Sequence, residues 1–106
     1  MNNHDDGQNA LQELQTLRQQ IDRLDHALVL MLANRFALTR RVGELKARAD
    51  LNAFDPRREE EKIRDIKLLC EQHGLDPVLM ADILAQIMRE TVKNHERIRA
   101  EVTRGA

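Results

Sequence analysis

A single cysteine, Cys70, excludes an intramolecular disulfide and fits a reducing compartment. Aromatic residues make up 2% of the 106-residue chain, which holds only four glycines and two prolines. Little is present to break a helix, and the abundant Leu, Ile, Ala, Glu, Arg and Gln favour one. No apolar run approaches the ~18–20 residues needed to cross a bilayer, so no membrane association is expected. The first ten residues are polar and lack the apolar segment of a signal peptide; 1–10 reads as a disordered leader and the location as cytoplasmic. A formal net charge of −1 gives no overall field toward nucleic acid or acidic membrane. The length fits one domain, placed at 11–106.

No strand signal, repeat or low-complexity tract appears beyond the leader. The pattern predicts three helices, one long and two shorter, in an all-α fold. The first spans about 11–50, with no proline and Gly43 as its one weak point. A short loop follows at 51–54. Asp55-Pro56 and Asp76-Pro77 each look like a helix start, with Asp as N-cap and Pro at the first helical position. His73-Gly74 closes the second helix, glycine supplying the left-handed residue. Forty helical residues reach about 60 Å, against a radius of gyration of about 13 Å for a compact 100-residue domain. One chain cannot cover such a rod, and an intertwined helical-bundle homodimer is expected.

Leu14, Leu17, Ile21, Leu24, Leu28, Met31, Arg35, Leu38, Val42 and Leu45 alternate spacings of three and four along the first helix. Every position but Arg35 is apolar. An arginine in a packing seam is costly unless an anion meets it. In the third helix Leu84, Met88, Thr91, His95, Ile98 and Val102 form a second stripe with two polar interruptions. The second helix is expected to turn Ile63, Ile66 and Leu69 or Cys70 inward.

Lys46 follows Arg35 by eleven residues, about three turns, so the two side chains leave the helix within roughly 20° of each other, about 16 Å apart. Arg18 lies about 25 Å before Arg35 and is rotated by roughly 100°; it enters such a site only from a second copy. Arg35, Lys46, Arg58 and a partner's Arg18 would surround a small dianion, with Glu59, Thr91 and His95 adding hydrogen-bonding groups. No nucleophile–base pair, CxxC, HExxH or glycine-rich phosphate loop is present, and His4, His26 and His73 lack ligand spacing, so no metal site is expected. Such a site suits catalysis by positioning and electrostatics. Each residue also has a plainer reading. Arg35 fits a structural ion pair, Lys46 a solvated lysine, Asp55 a cap only, Arg58 and Glu59 an exposed pair. Thr91 fits a back-bond within its helix, and His95 a satisfied core histidine.

The run Leu17-Arg18-Gln19-Gln20-Ile21-Asp22-Arg23-Leu24-Asp25, with Leu28, Leu32 and Arg35, resembles the opening of the all-α chorismate mutases. Val42-Gly43-Glu44-Leu45-Lys46 and Asp55-Pro56-Arg57-Arg58-Glu59 resemble that family's next two motifs, and the similarity covers about 11–98. It implies a small monofunctional, cofactor-free isomerase of aromatic amino acid biosynthesis in the shikimate pathway, working as a homodimer. Its substrate would be the dicarboxylate chorismate, converted to prephenate by a Claisen rearrangement; a partner enzyme of the aromatic pathway is possible.

Carried over by position, Arg35 and the other subunit's Arg18 would bind the carboxylates. Lys46 would contact a carboxylate and the ether oxygen. Glu59 would accept from the ring hydroxyl with the backbone at Asp55 assisting, and Arg58 would support carboxylate binding. Thr91 stands where the family often has Ser. His95 departs from the usual Gln or Glu; it is expected to donate to the ether oxygen, unless a rotated third helix presents Asn94 or Glu96 instead. The rivals are an isochorismate-pyruvate lyase or an amino-deoxychorismate mutase of the same fold, and a non-catalytic regulatory helical dimer.

Overall fold

Proline-free sequence and good helix formers give one uninterrupted first helix, α1, over Asn3–Arg48. This computed structural model describes residues 3–52 and 55–105. The helix begins at Asn3, ahead of the start expected at about residue 11. Asp5 and Asp6 lie in its first turn, where the helix dipole favours negative charge. It stops at Arg48, short of the expected Asp50, because Asp50 takes a left-handed φ of 54°, a region Asp tolerates better than most residues. The Leu51 amide then donates to the Lys46 carbonyl at 2.7 Å. Arg99 of the third helix holds this exit, donating to Asp50 Oδ1 at 3.0 Å and to the Leu51 carbonyl. Of the expected loop at 51–54, positions 53 and 54 lie outside the described residues.

Both Asp-Pro starts behave as the sequence predicts. Helix α2 spans Pro56–His73, with the Asp55 carboxylate accepting from the Arg58 amide at 3.3 Å. Gly74, at φ 68°, ends it by donating to the Cys70 carbonyl. Helix α3 spans Pro77–Gly105, and the Asp76 carboxylate accepts from the Val78 amide at 2.9 Å. Among the described residues the fold is all-α, with no strand.

The chain divides into two units, residues 1–35 and 36–106. Within the described part of the first, almost every side chain is exposed; Ala27, Leu32 and Arg35 are the half-buried ones. The second unit carries the core among the described residues: Cys70, Ile98 and the polar His95 are its buried side chains. The α3 stripe faces inward as expected, with Leu84, Met88, Thr91 and Val102 half-buried around His95 and Ile98. On α2 Ile66 and Cys70 turn inward as expected, with Cys70 rather than Leu69 the buried one. Ile63 is exposed instead, and Glu59 and Lys62 complete the inner line.

The second unit's stretch of α1 likewise turns inward on a neighbouring line. Phe36, Thr39, Gly43, Lys46 and Ala47 are covered or half-covered. Leu38 and Leu45 of the apolar seam stay 61% and 64% exposed. A helix can offer two faces, and here the line with room for a close neighbour, centred on Gly43, is the one used within the chain.

Candidate active site

Gly43 and His95 set the centre of the site. The His95 ring lies against the α1 backbone so closely that a Cβ at Gly43 would stand 2.6 Å from its Cδ2. Any other residue at Gly43 would therefore push the ring away. His95 Nε2 lies 2.8 Å from the Thr39 carbonyl oxygen. A carbonyl only accepts, so Nε2 carries the proton and donates. That fixes the tautomer of the neutral ring and leaves Nδ1 as an acceptor. Nδ1 is buried and has no partner within the chain.

The expected role of His95 changes accordingly. Its neutral donor is committed to Thr39, and the ring donates to a ligand only from Nδ1, as imidazolium. The register of α3 is the one the apolar stripe requires: His95 is 7% exposed, whereas Glu96 is exposed and Asn94 accepts from Arg97.

Glu59 is the second centre. It lies in the first turn of α2, on the line that ends at Cys70. One carboxylate oxygen, Oε1, is 3.5 Å from Lys62 Nζ, and the same Nζ lies 3.8 Å from Met88 Sδ on α3. The other oxygen, Oε2, is buried without a partner within the chain. Buried polar atoms are nearly always hydrogen-bonded, and exceptions point to a missing ligand or strain. Among the described residues the buried side-chain atoms in this condition are Glu59 Oε2 and His95 Nδ1. Both belong to residues the sequence singles out for substrate.

The remaining candidates divide between the units. Lys46 is half-buried on the inner line of α1, four residues short of the left-handed Asp50. Asp55 and Arg58 are exposed at the start of α2, and the bond between the Asp55 carboxylate and the Arg58 amide is a cap. Thr91 donates to the Ile87 carbonyl at 3.0 Å, a back-bond within α3. In the first unit Arg35 is half-buried and Arg18 exposed. Among the described residues no group of three or more His, Cys, Asp or Glu is placed to hold a metal ion; the His4 side chain lies outside them. The open groove along Ala85, Met88, Arg89, Val92, Lys93 and Glu96 shares only Met88 with this site and holds neither unpartnered atom.

Sequence reasoning missed Gly43 as the seat of His95. The pattern puts Lys62 on one face with Asp55, Arg58 and Glu59, but of these only Glu59 and Lys62 turn inward. Lys62 stands four and eight residues before Ile66 and Cys70, a signal available once Cys70 rather than Leu69 is taken as the inward residue.

Residues 17–96 match the family described as chorismate mutase type II. The chain belongs to that family. Among curated proteins it is similar to the T-protein of Enterobacter agglomerans, 40% identical over 79 residues, or 74% of this chain and 21% of that protein. It is 36% identical over 83 residues to the bifunctional chorismate mutase/prephenate dehydratase of Aquifex aeolicus, covering 77% of this chain and 22% of that protein. To the chorismate mutase of Methanocaldococcus jannaschii it is 30% identical over 66 residues, covering 62% of this chain and 67% of that protein. The chain thus spans about a fifth of the length of the first two relatives. In this member of the chorismate mutase type II family, Arg18, Arg35, Lys46, Asp55, Arg58, Glu59, Thr91 and His95 all lie inside the matched span.

Proposed function

We propose that this chain binds chorismate and rearranges it to prephenate without a cofactor, as one of two copies in a homodimer. The observation that carries the reading is the pair of unpartnered buried atoms, Glu59 Oε2 and His95 Nδ1, at two positions the family pattern assigns to substrate. Glu59 Oε2 accepts from the ring hydroxyl. Arg35 and a second copy's Arg18 take the carboxylates, with Arg58 in support and Asp55 contributing backbone.

In the rearrangement the ether C–O bond breaks as a C–C bond forms, and nothing leaves the molecule. The task is to hold the reactive conformer and to meet the negative charge that grows on the ether oxygen. Lys46 meets it as a cation. His95 turns its unpartnered Nδ1 to the ligand while Nε2 stays on Thr39. Thr91 lies one turn before His95 and shapes the wall beside it.

The second copy is supported by surface. The chain exposes 9026 Å² for a mass of 12.3 kDa; a folded monomer of that mass exposes about 6,100 Å². The α1 seam is part of that surface: Leu17, Ile21, Leu24, Leu28, Met31, Leu38 and Leu45 are all exposed. The described helices contain none long and apolar enough to cross a membrane, so a lipid-spanning role does not account for that seam. The chain works in the cytoplasm, where its substrate is made, beside another enzyme of the aromatic pathway.

Loss of chorismate absorbance with purified protein, with the product separated by chromatography, tests the activity. Prephenate is the expected product; pyruvate from isochorismate alone, or ligand binding without turnover, would overturn it. Substitution tests His95. His95→Ala should lower kcat/KM, and His95→Gln, whose amide can also donate, should recover part of the loss. Equal turnover in the wild type and His95→Ala removes His95 from the mechanism.

A further inference from the structure

We propose that Lys62 is a positioning residue: it holds Glu59 Oε1 so that Oε2 is presented, fixed and unpaired, to a hydroxyl on the ligand. The proposal rests on the reading of Glu59 as the hydroxyl acceptor and adds the residue that makes it selective.

The observations are geometric. Glu59 and Lys62 are one helical turn apart, in the phase of Ile66 and Cys70, which is the inner line of α2. Their side chains are 24% and 19% exposed, against 54% and 90% for Glu61 and Arg57, the other ion pair on this helix. Lys62 therefore does not lie out along the surface in the ordinary way of lysines. Its ammonium is bracketed by Glu59 Oε1 and by Met88 Sδ from α3. The thioether is a weak acceptor, so Glu59 is the strong partner, and Met88 limits where Nζ can go.

A carboxylate has two oxygens and rotates about its last bond. With Oε1 held by a cation, that rotation is restricted and Oε2 keeps one direction. The arrangement also answers an electrostatic difficulty. A dicarboxylate ligand brings negative charge toward a half-buried Glu59, and a cation on its far oxygen offsets the repulsion without occupying the near one. Discrimination for a hydroxyl is strong only where the site's own polar group is left unpaired when that hydroxyl is missing. Oε2 meets this condition within the chain, and Oε1 does not.

The test uses Lys62→Met, which keeps length and apolar contact, and Lys62→Arg, which keeps charge. The probes are two oxabicyclic dicarboxylic acids that mimic the transition state, one bearing the ring hydroxyl and one lacking it, with affinity read by calorimetry. Lys62→Met should weaken the hydroxylated probe about tenfold and leave the deoxy probe within about twofold. Lys62→Arg should recover most of the loss. Equal weakening of both probes, or no weakening of either, overturns the proposal.

A second readout needs no ligand. In the free protein, NMR relaxation of the Glu59 side chain should show a single ordered rotamer that becomes averaged in Lys62→Met, with an unchanged helical circular dichroism spectrum. A Glu59 equally ordered in both overturns the role of Lys62. If the wild type fails to turn over chorismate, the proposed reaction falls, and this measurement still decides Lys62.

Discussion

The most apolar line of the chain is exposed, and the inner face that it does bury is interrupted by charge. Along α1 the seam from Leu14 to Leu45 has Leu24 at 69% exposure, whereas Glu59, Lys62 and His95 sit inside the second unit. An exposed apolar seam lacks a partner surface; a buried polar atom with no partner lacks a ligand. The two regions are incomplete in complementary ways. On the proposed function a second copy of the chain would cover the first, and a small charged molecule would meet the unpartnered atoms of the second.

The proposed site is broken most severely by removing its cations. Lys46→Ala and Arg35→Ala are each expected to lower kcat/KM by about 100-fold to 1,000-fold or more, as when a preorganised electrostatic group is lost, with helicity by circular dichroism unchanged. Turnover near the wild-type value in either variant refutes the role of that residue. The apolar region is broken by charge. Leu24→Asp places an unpaired carboxylate in the seam of each copy, and an uncompensated buried charge costs about 3–5 kcal/mol. Sedimentation should show the dimer dissociation constant rise at least about 100-fold, with activity falling in step because Arg18 is then no longer supplied in trans. A wild type that sediments as a monomer at assay concentration would dissolve the comparison itself.

A smaller effect sharpens the polar side. Gly43→Ala should gain up to about 1 kcal/mol of helix propensity, yet the added methyl meets His95 Cδ2 at 2.6 Å, and overpacking costs about 1–3 kcal/mol. The net expectation is a lowered Tm together with a reduced kcat/KM as the ring shifts. In a His95→Ala background the three nearest atoms to that methyl, all of the His95 ring, are gone, so Gly43→Ala should become stabilising. A thermal-melt double-mutant cycle with additive effects would show that the ring does not rest on Gly43.

How legible each region was follows from the kind of signal it leaves. Helix boundaries at Asp55-Pro56, Gly74 and Asp76-Pro77 were readable because capping is local: Asp55 Oδ1 bonds the Arg58 amide within its own turn. The three-helix, all-α fold followed from the same breaks, and the family from the runs around Arg18, Gly43 and Glu59. The inner phase of α2 was legible only at Ile66 and Cys70. Apolar spacing favours Ile63, whereas tertiary contact places Lys62 inward against Met88, a choice made by α3 and invisible in α2 alone. The start of α1 was misjudged because a polar segment with Asp5 and Asp6 reads as a leader, although those acids favour a helix N-terminus. His95 was found as an unusual residue, but the direction of its donated proton depends on Thr39, 56 positions away.

The smallest expected effect fixes the scale for the others. Arg57 and Glu61 form an ion pair on α2 with N···O 3.3 Å, slightly shorter than the 3.5 Å between Lys62 and Glu59. Distance alone ranks the Arg57 pair as the stronger. Burial reverses the order, because the Arg57 side chain is 90% exposed and its attraction is screened by water and salt. Arg57→Ala should therefore change stability by less than about 0.5 kcal/mol and leave kcat/KM within about twofold, although Arg57 adjoins Arg58 and Glu59 in sequence. Parallel melts and kinetics of Arg57→Ala and Lys62→Met separate the two criteria directly. A loss in Arg57→Ala equal to that in Lys62→Met would mean that charge near the start of α2, rather than the inward placement of one lysine, governs the site.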